Sequence, residues 1–141
     1  MTKIVENFVK NINPNITIKW DSEEFCADTD ELTVCVGQVY HNYEEQLFLD
    51  FVEKEFGIIM DIFLVSLLHE IGHIETFDEE IDEERTLFYS ILMASYEEDK
   101  IEEYNEKYFR IKSEYNATEW AVNYYLDNKE LCDEFISQIM Y

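Results

Sequence analysis

The stretch MDIFLVSLLHEIGHIE, residues 60–75, is apolar on nearly every side of a 3.6-residue period. A helix without a broad polar face must be buried all round, so this segment has to sit at the centre of whatever the chain folds into. It is not a membrane span. The longest apolar run, Gly57 to Leu68, contains Asp61 and falls far short of the roughly 20 residues that cross a bilayer. A central helix needs surrounding elements, and with 47% apolar and 16% aromatic residues the chain has enough to supply them. Only 3 Gly and 1 Pro occur in 141 residues, which favours helices over a many-turned β fold. The length is that of one domain, residues 1–141, with no internal repeat and no linker.

The periodicity predicts the following order. Ile4, Val5, Phe8, Val9 and Ile12 form one face of a helix over 3–12, stopped by Asn13-Pro14-Asn15. ITIKW (16–20) alternates and is β-branched, so it reads as a strand. Asp21 to Glu31 reads as an acidic loop, and LTVCVGQVY (32–40) as a second strand beside the first, with Gly37 as a bulge or bend. Helices follow over 43–56, 60–75, 79–96, 99–109, 113–126 and 128–140, with Gly57 as a break and Ser113 as an N-cap. The expected fold class is α+β, mainly helical, with a small N-terminal sheet and a buried central helix.

Asp plus Glu number 33 against 10 Lys plus Arg, a formal charge of −23. No basic patch is present, which argues against direct nucleic-acid binding and against an anionic membrane surface. The acidity reads either as a solvated surface or as an imitation of nucleic acid aimed at a basic partner. Cys26, Cys35 and Cys132 are too few for a disulfide framework and read as reduced. The first residues, MTKIVENFVKNINPN, lack a signal-peptide pattern, so the expected location is cytoplasmic. The run from Asp78 to Glu84 lacks the glycine and alternating ligands of a calcium loop and reads as a solvated helix start.

Two of the three histidines are His69 and His73, with Glu70 between them. Residues four apart share a helix face, so both imidazoles can reach one ion. Glu70 lies about 100° around the helix from His69 and can point at an open coordination position. This H-E-x-x-H spacing supplies two nitrogen ligands and a general base for a zinc-bound water. Burying two histidines and a glutamate together is costly without partners, and a metal would satisfy them. Gly72 weakens the helix relative to alanine by ~1 kcal/mol but lets another backbone or a substrate come close. A third ligand is needed. His41 sits at a strand end, away from this pattern, and a carboxylate from a later helix is the better candidate. Glu114 lies in the first turn of a helix whose Ala117 and Ala121 permit close packing against a neighbour.

HEIGH followed by a later E-x-x-A-x-x-x-A helix resembles the gluzincin metallopeptidases, in particular the small ImmA/IrrE-type proteins of phages and mobile elements. The resemblance covers roughly residues 15–127. It implies a minimal zincin-like domain with Zn2+ held by His69, His73 and Glu114, and with Glu70 as the catalytic base. Related proteins often carry Glu, Glu-Ala or Asp near positions 116–118, where this chain has Asn116, Ala117 and Thr118. The groups that orient the ligands therefore differ, and Glu119 stays a rival third ligand.

Two functions are expected on these grounds. One is an intracellular zinc endopeptidase acting on a protein or peptide, such as a regulator. In it Glu70 takes a proton from the water, and one of Tyr108, Tyr115, Tyr124 and Tyr125 steadies the oxyanion. LTVCVGQ would offer its edge to an extended peptide. The alternative is a non-catalytic acidic binding protein on the same fold, blocking a nuclease or another basic nucleic-acid-binding protein.

Overall fold

The computed structural model describes residues 1–139. It is an α+β fold, mainly helical, with a three-stranded sheet near the N-terminus. In chain order the elements are α1 (Thr2–Ile12), β1 (Thr17–Lys19), β2 (Cys26–Asp28), β3 (Thr33–Cys35), α2 (Tyr43–Phe56), α3 (Ile62–Glu75) and α4 (Glu79–Ala94). A 3-10 turn at Glu98–Lys100 leads into α5 (Ile101–Phe109), then α6 (Lys112–Asp127) and α7 (Lys129–Ile139). Position 140, the expected end of the last helix, lies outside the described residues. Among the described residues no helix is long and apolar enough to cross a membrane.

Helix α3 is the centre. Phe63, Leu64, Val65, Leu67, Leu68 and Ile71 are all buried on it. Around it pack Val5 and Val9 of α1, Val34 of β3, Val52 of α2, Ala121 and Val122 of α6, and Cys132 and Phe135 of α7. Asp61 caps its start, its side chain accepting from the Leu64 N–H at 3.0 Å. Asn42 and Glu45 form a capping box on α2, and Gly57 ends that helix in the left-handed region at φ 71°. Asp78 caps α4 by accepting from the Glu80 and Ile81 N–H groups.

The strand order is β1-β3-β2, with β1 parallel to β3 and β2 antiparallel to it. Four expectations change here. The segment 21–31 is not all loop, because Cys26–Asp28 pairs with Thr33–Cys35. As a result β3 is bonded on both sides, and the open edges belong to β1 and β2, of which β2 is the one beside the cleft. Cys26 and Cys35 are register partners in the antiparallel pair and are joined by a disulfide, so they are not reduced; Cys132 is free and buried. β3 also ends early, because the backbone of Gly37 turns against Glu24 and Phe25. A Cβ at position 37 would meet the Phe25 nitrogen.

Helix α6 starts at Lys112, with Ile111 in the capping position, so Ser113 does not cap it. Ser113 is inside the first turn and buried, and its hydroxyl finds no hydrogen-bond partner among the described residues. Packing on α3 accounts for the shift, since that contact draws the first turn of α6 into the core.

Candidate metal centre

Helices α3 and α6 cross at Gly72. A Cβ there would lie 2.5 Å from the Ala117 carbonyl oxygen, so only glycine allows this approach. The contact sets the first turn of α6 against the last two turns of α3. His69, His73 and Glu114 meet there.

His69 Nε2 and His73 Nε2 are 3.1 Å apart, and each is 3.2 Å from Glu114 Oε1. A tetrahedral ion with ligand distances of about 2.0–2.1 Å has donor-to-donor edges of about 3.3–3.4 Å. The three atoms thus form nearly one face of such a tetrahedron. A Glu70 carboxylate oxygen and a ring nitrogen of each histidine lie within 4.8 Å of one another.

Hydrogen bonding fixes the tautomer of His69. The Thr118 hydroxyl donates to the Glu114 carbonyl oxygen at 3.0 Å. It must then accept from His69 Nδ1–H, 2.9 Å away. In the neutral ring Nε2 therefore carries a lone pair directed at the shared point. Neutral His69 Nε2 and the Glu114 carboxylate thus present electron pairs to one point, which a proton on an imidazole or a metal cation placed there would satisfy. The nitrogen and carboxylate donor set fits zinc.

Glu114 is 2 % exposed. Burial alone would raise its carboxyl pKa, but hydrogen bonds donated by the imidazoles in their protonated form hold it far below the ordinary range. Arg85 of α4 adds a charge-assisted bond, Nε to Glu114 Oε2 at 2.8 Å, while His73 Nε2 lies 3.2 Å from each carboxylate oxygen. Burial disfavours the charged form of His69, yet its contact with Glu114 and the charges of Glu70 and Glu114 outweigh this and raise its pKa. Burial also pushes the Glu70 carboxyl up, against the pull of the two histidines. The Tyr108 phenol is raised as well, by burial first and by the Glu114 charge next, so it stays protonated.

The centre lies in a cleft with two lobes that share Phe25, Glu70, Tyr108 and Glu114. One lobe, about 260 Å³, is walled by Phe48, Ile62 and Phe109 with Glu44 and Glu45 at its rim. The other, about 320 Å³, runs along Glu24 to Ala27 and reaches His73, Asp82 and Arg85. The edge strand β2 therefore borders the cleft.

Several candidates fall elsewhere. Glu119 is exposed on the outer side of α6. His41 lines a different cavity with Asn42, Tyr43 and Leu49. Tyr115 donates to Glu55 and Tyr125 to Asp133, while Tyr124 stacks on Trp120. Of the four tyrosines considered, Tyr108 is the one that lines the cleft. Sequence reasoning did not single out Arg85, which carries no local signal. It took Thr118 only as a departure from the family pattern, although its i+4 spacing from Glu114 places both on one helix face.

The chain matches no protein-family model, no curated protein and no solved structure.

Proposed function

We propose that this chain is a zinc-dependent metallopeptidase of the gluzincin type, with a protein or peptide as substrate. The observation that carries the reading is the convergence of His69 Nε2, His73 Nε2 and Glu114 Oε1 at 3.1–3.2 Å from one another. His69, His73 and Glu114 would hold the ion, and Thr118 and Arg85 would orient two of those ligands. Zinc bound there supplies Lewis acidity toward a carbonyl oxygen and brings the pKa of a water toward neutrality.

The chain's own groups do the rest. Glu70, with its pKa raised by burial, takes the proton of the attacking water and passes it to the leaving nitrogen. Tyr108 keeps its O–H at neutral pH and can donate to the oxyanion that develops on the carbonyl. The unpaired edge of β2 offers main-chain hydrogen bonds to an extended peptide along the cleft. The apolar lobe beside Phe48 and Phe109 receives a large side chain.

The test is metal analysis combined with a peptide-cleavage screen. The wild type and Glu70→Gln should both carry about one zinc per chain, with hydrolysis lost only in Glu70→Gln, and Glu114→Ala should lose most of the metal. Failure to take up zinc after reconstitution would sink the proposal. Retained zinc with no cleavage of any peptide would transfer the site to the non-catalytic alternative, an acidic binding protein.

A further inference from the structure

Helix α4 has two unlike faces. Its inner face carries Leu92, which is buried, and Arg85, which reaches Glu114. Tyr89 packs there too, its ring beneath the Arg85 guanidinium and edge-on to Tyr108. The outer face is apolar where solvent should favour polar groups. Leu87 is 60 % exposed, Ile91 58 % and Phe88 50 %. Single exposed apolar residues are ordinary, but three large ones within one turn and a half of a helix are not.

The charges around this patch are arranged with it. Positions 80, 84, 87, 88 and 91 follow the i, i+4, i+7, i+8, i+11 spacing of a single helical stripe. They are Glu80, Glu84, Leu87, Phe88 and Ile91, all exposed. The stripe is acidic in its first half and apolar in its second. Glu97, Glu98 and Asp99 follow in the chain after the helix, and all three are exposed. The apolar patch thus has carboxylates at its N-terminal end, on the same stripe.

We infer that the outer face of α4 docks a basic amphipathic helix of another protein. Its leucine-like side chains cover Leu87, Phe88 and Ile91, and its lysines or arginines meet Glu80 and Glu84. A second copy of this chain is the wrong occupant, because a net charge of −23 sets like against like at every such face. The partner would lie on the helix whose opposite face holds Arg85 against Glu114, so docking and the metal centre share α4. The surface itself does not depend on the metal.

The experiment uses the full chain and a labelled helical peptide of about 18 residues, with leucines at i, i+3, i+4 and i+7 and lysines elsewhere. Two controls accompany it: the same composition shuffled to destroy the apolar face, and an amphipathic peptide with glutamate in place of lysine. Fluorescence anisotropy should show the basic amphipathic peptide binding at least about tenfold tighter than either control. The paired substitution Leu87→Ser with Ile91→Ser should weaken it about tenfold. A second variant, Glu80→Gln with Glu84→Gln, should weaken it at low salt and remove most of its salt dependence. All four positions are exposed, so circular dichroism should report unchanged helicity. Equal binding of the shuffled peptide, or no effect of either variant, overturns the inference. So does concentration-dependent dimerisation that the Leu87 and Ile91 pair abolishes, which would assign the face to a second copy.

Discussion

Gly72 on α3 and Ala117 on α6 are in backbone contact: a Cβ at position 72 would stand 2.5 Å from the Ala117 carbonyl oxygen and 3.1 Å from its carbonyl carbon. Both partners are main chain, so neither can rotate out of the way. Gly72→Ala should therefore separate the helices despite alanine's better helix propensity. The expected loss is about 1–3 kcal/mol in urea unfolding, with weakened zinc uptake. Stabilisation by the substitution would mean that the helices do not approach this closely.

Thr118 accepts from His69 Nδ1 and donates to the Glu114 carbonyl oxygen. Thr118→Val keeps the shape and removes the hydrogen bond. Zinc affinity should fall about 10–100-fold, whereas Thr118→Ser should stay near wild type. Competition with a chromogenic chelator measures both.

Glu70 has a folded-state pKa raised by burial. Its charged form is thus disfavoured by folding, and the penalty is felt above the folded pKa and vanishes below the unfolded value of about 4.3. Glu70→Gln should therefore stabilise the metal-free protein near neutral pH and lose that advantage as the pH falls through about 4. A gain independent of pH would mean that the carboxylate is well solvated.

Glu114 runs the opposite way. Its pKa is depressed in the fold, so its contribution is complete above about 4.3 and is lost as the pH falls toward the folded value. Glu114→Gln should flatten the acid side of the stability curve of the metal-free protein. Zinc release should set in earlier on acidification, because both histidines must be neutral to ligate.

The Cys26–Cys35 bridge closes a segment with sequence separation 9 and ties β2 to β3. A loop of that size is worth roughly 2–3 kcal/mol in the chain-entropy account. Reduction, or Cys26→Ser with Cys35→Ser, should lower the melting temperature. It should also raise hydrogen exchange over residues 24–29, the strand side of the cleft.

Long periodic segments were readable in advance. The span 43–56 matches α2, and the apolar stretch around Leu67 is the buried centre. Glu114 could be named because a first-turn carboxylate beside two small residues has a local signature. The strand Cys26–Asp28 has none: three residues, Cys-Ala-Asp, are too short and too small to show an apolar alternation, and only pairing with β3 makes it a strand. Ser113 shows the limit of local rules, since a good capping residue is drawn inside the helix by packing against α3. Arg85 escaped notice because a single cation in an acidic run looks solvated until α4 folds over α6.

Two of the converging donors lie one turn apart on α3, but the third arrives from 41 and 45 residues further along the chain. No fragment that ends before α6 can close the set, and α6 can seat its carboxylate only where Gly72 admits Ala117. The centre is therefore a checkpoint on tertiary structure. A cation that demands all three donors discriminates the finished fold from every partly assembled one, and its uptake during refolding would time the docking of the two helices.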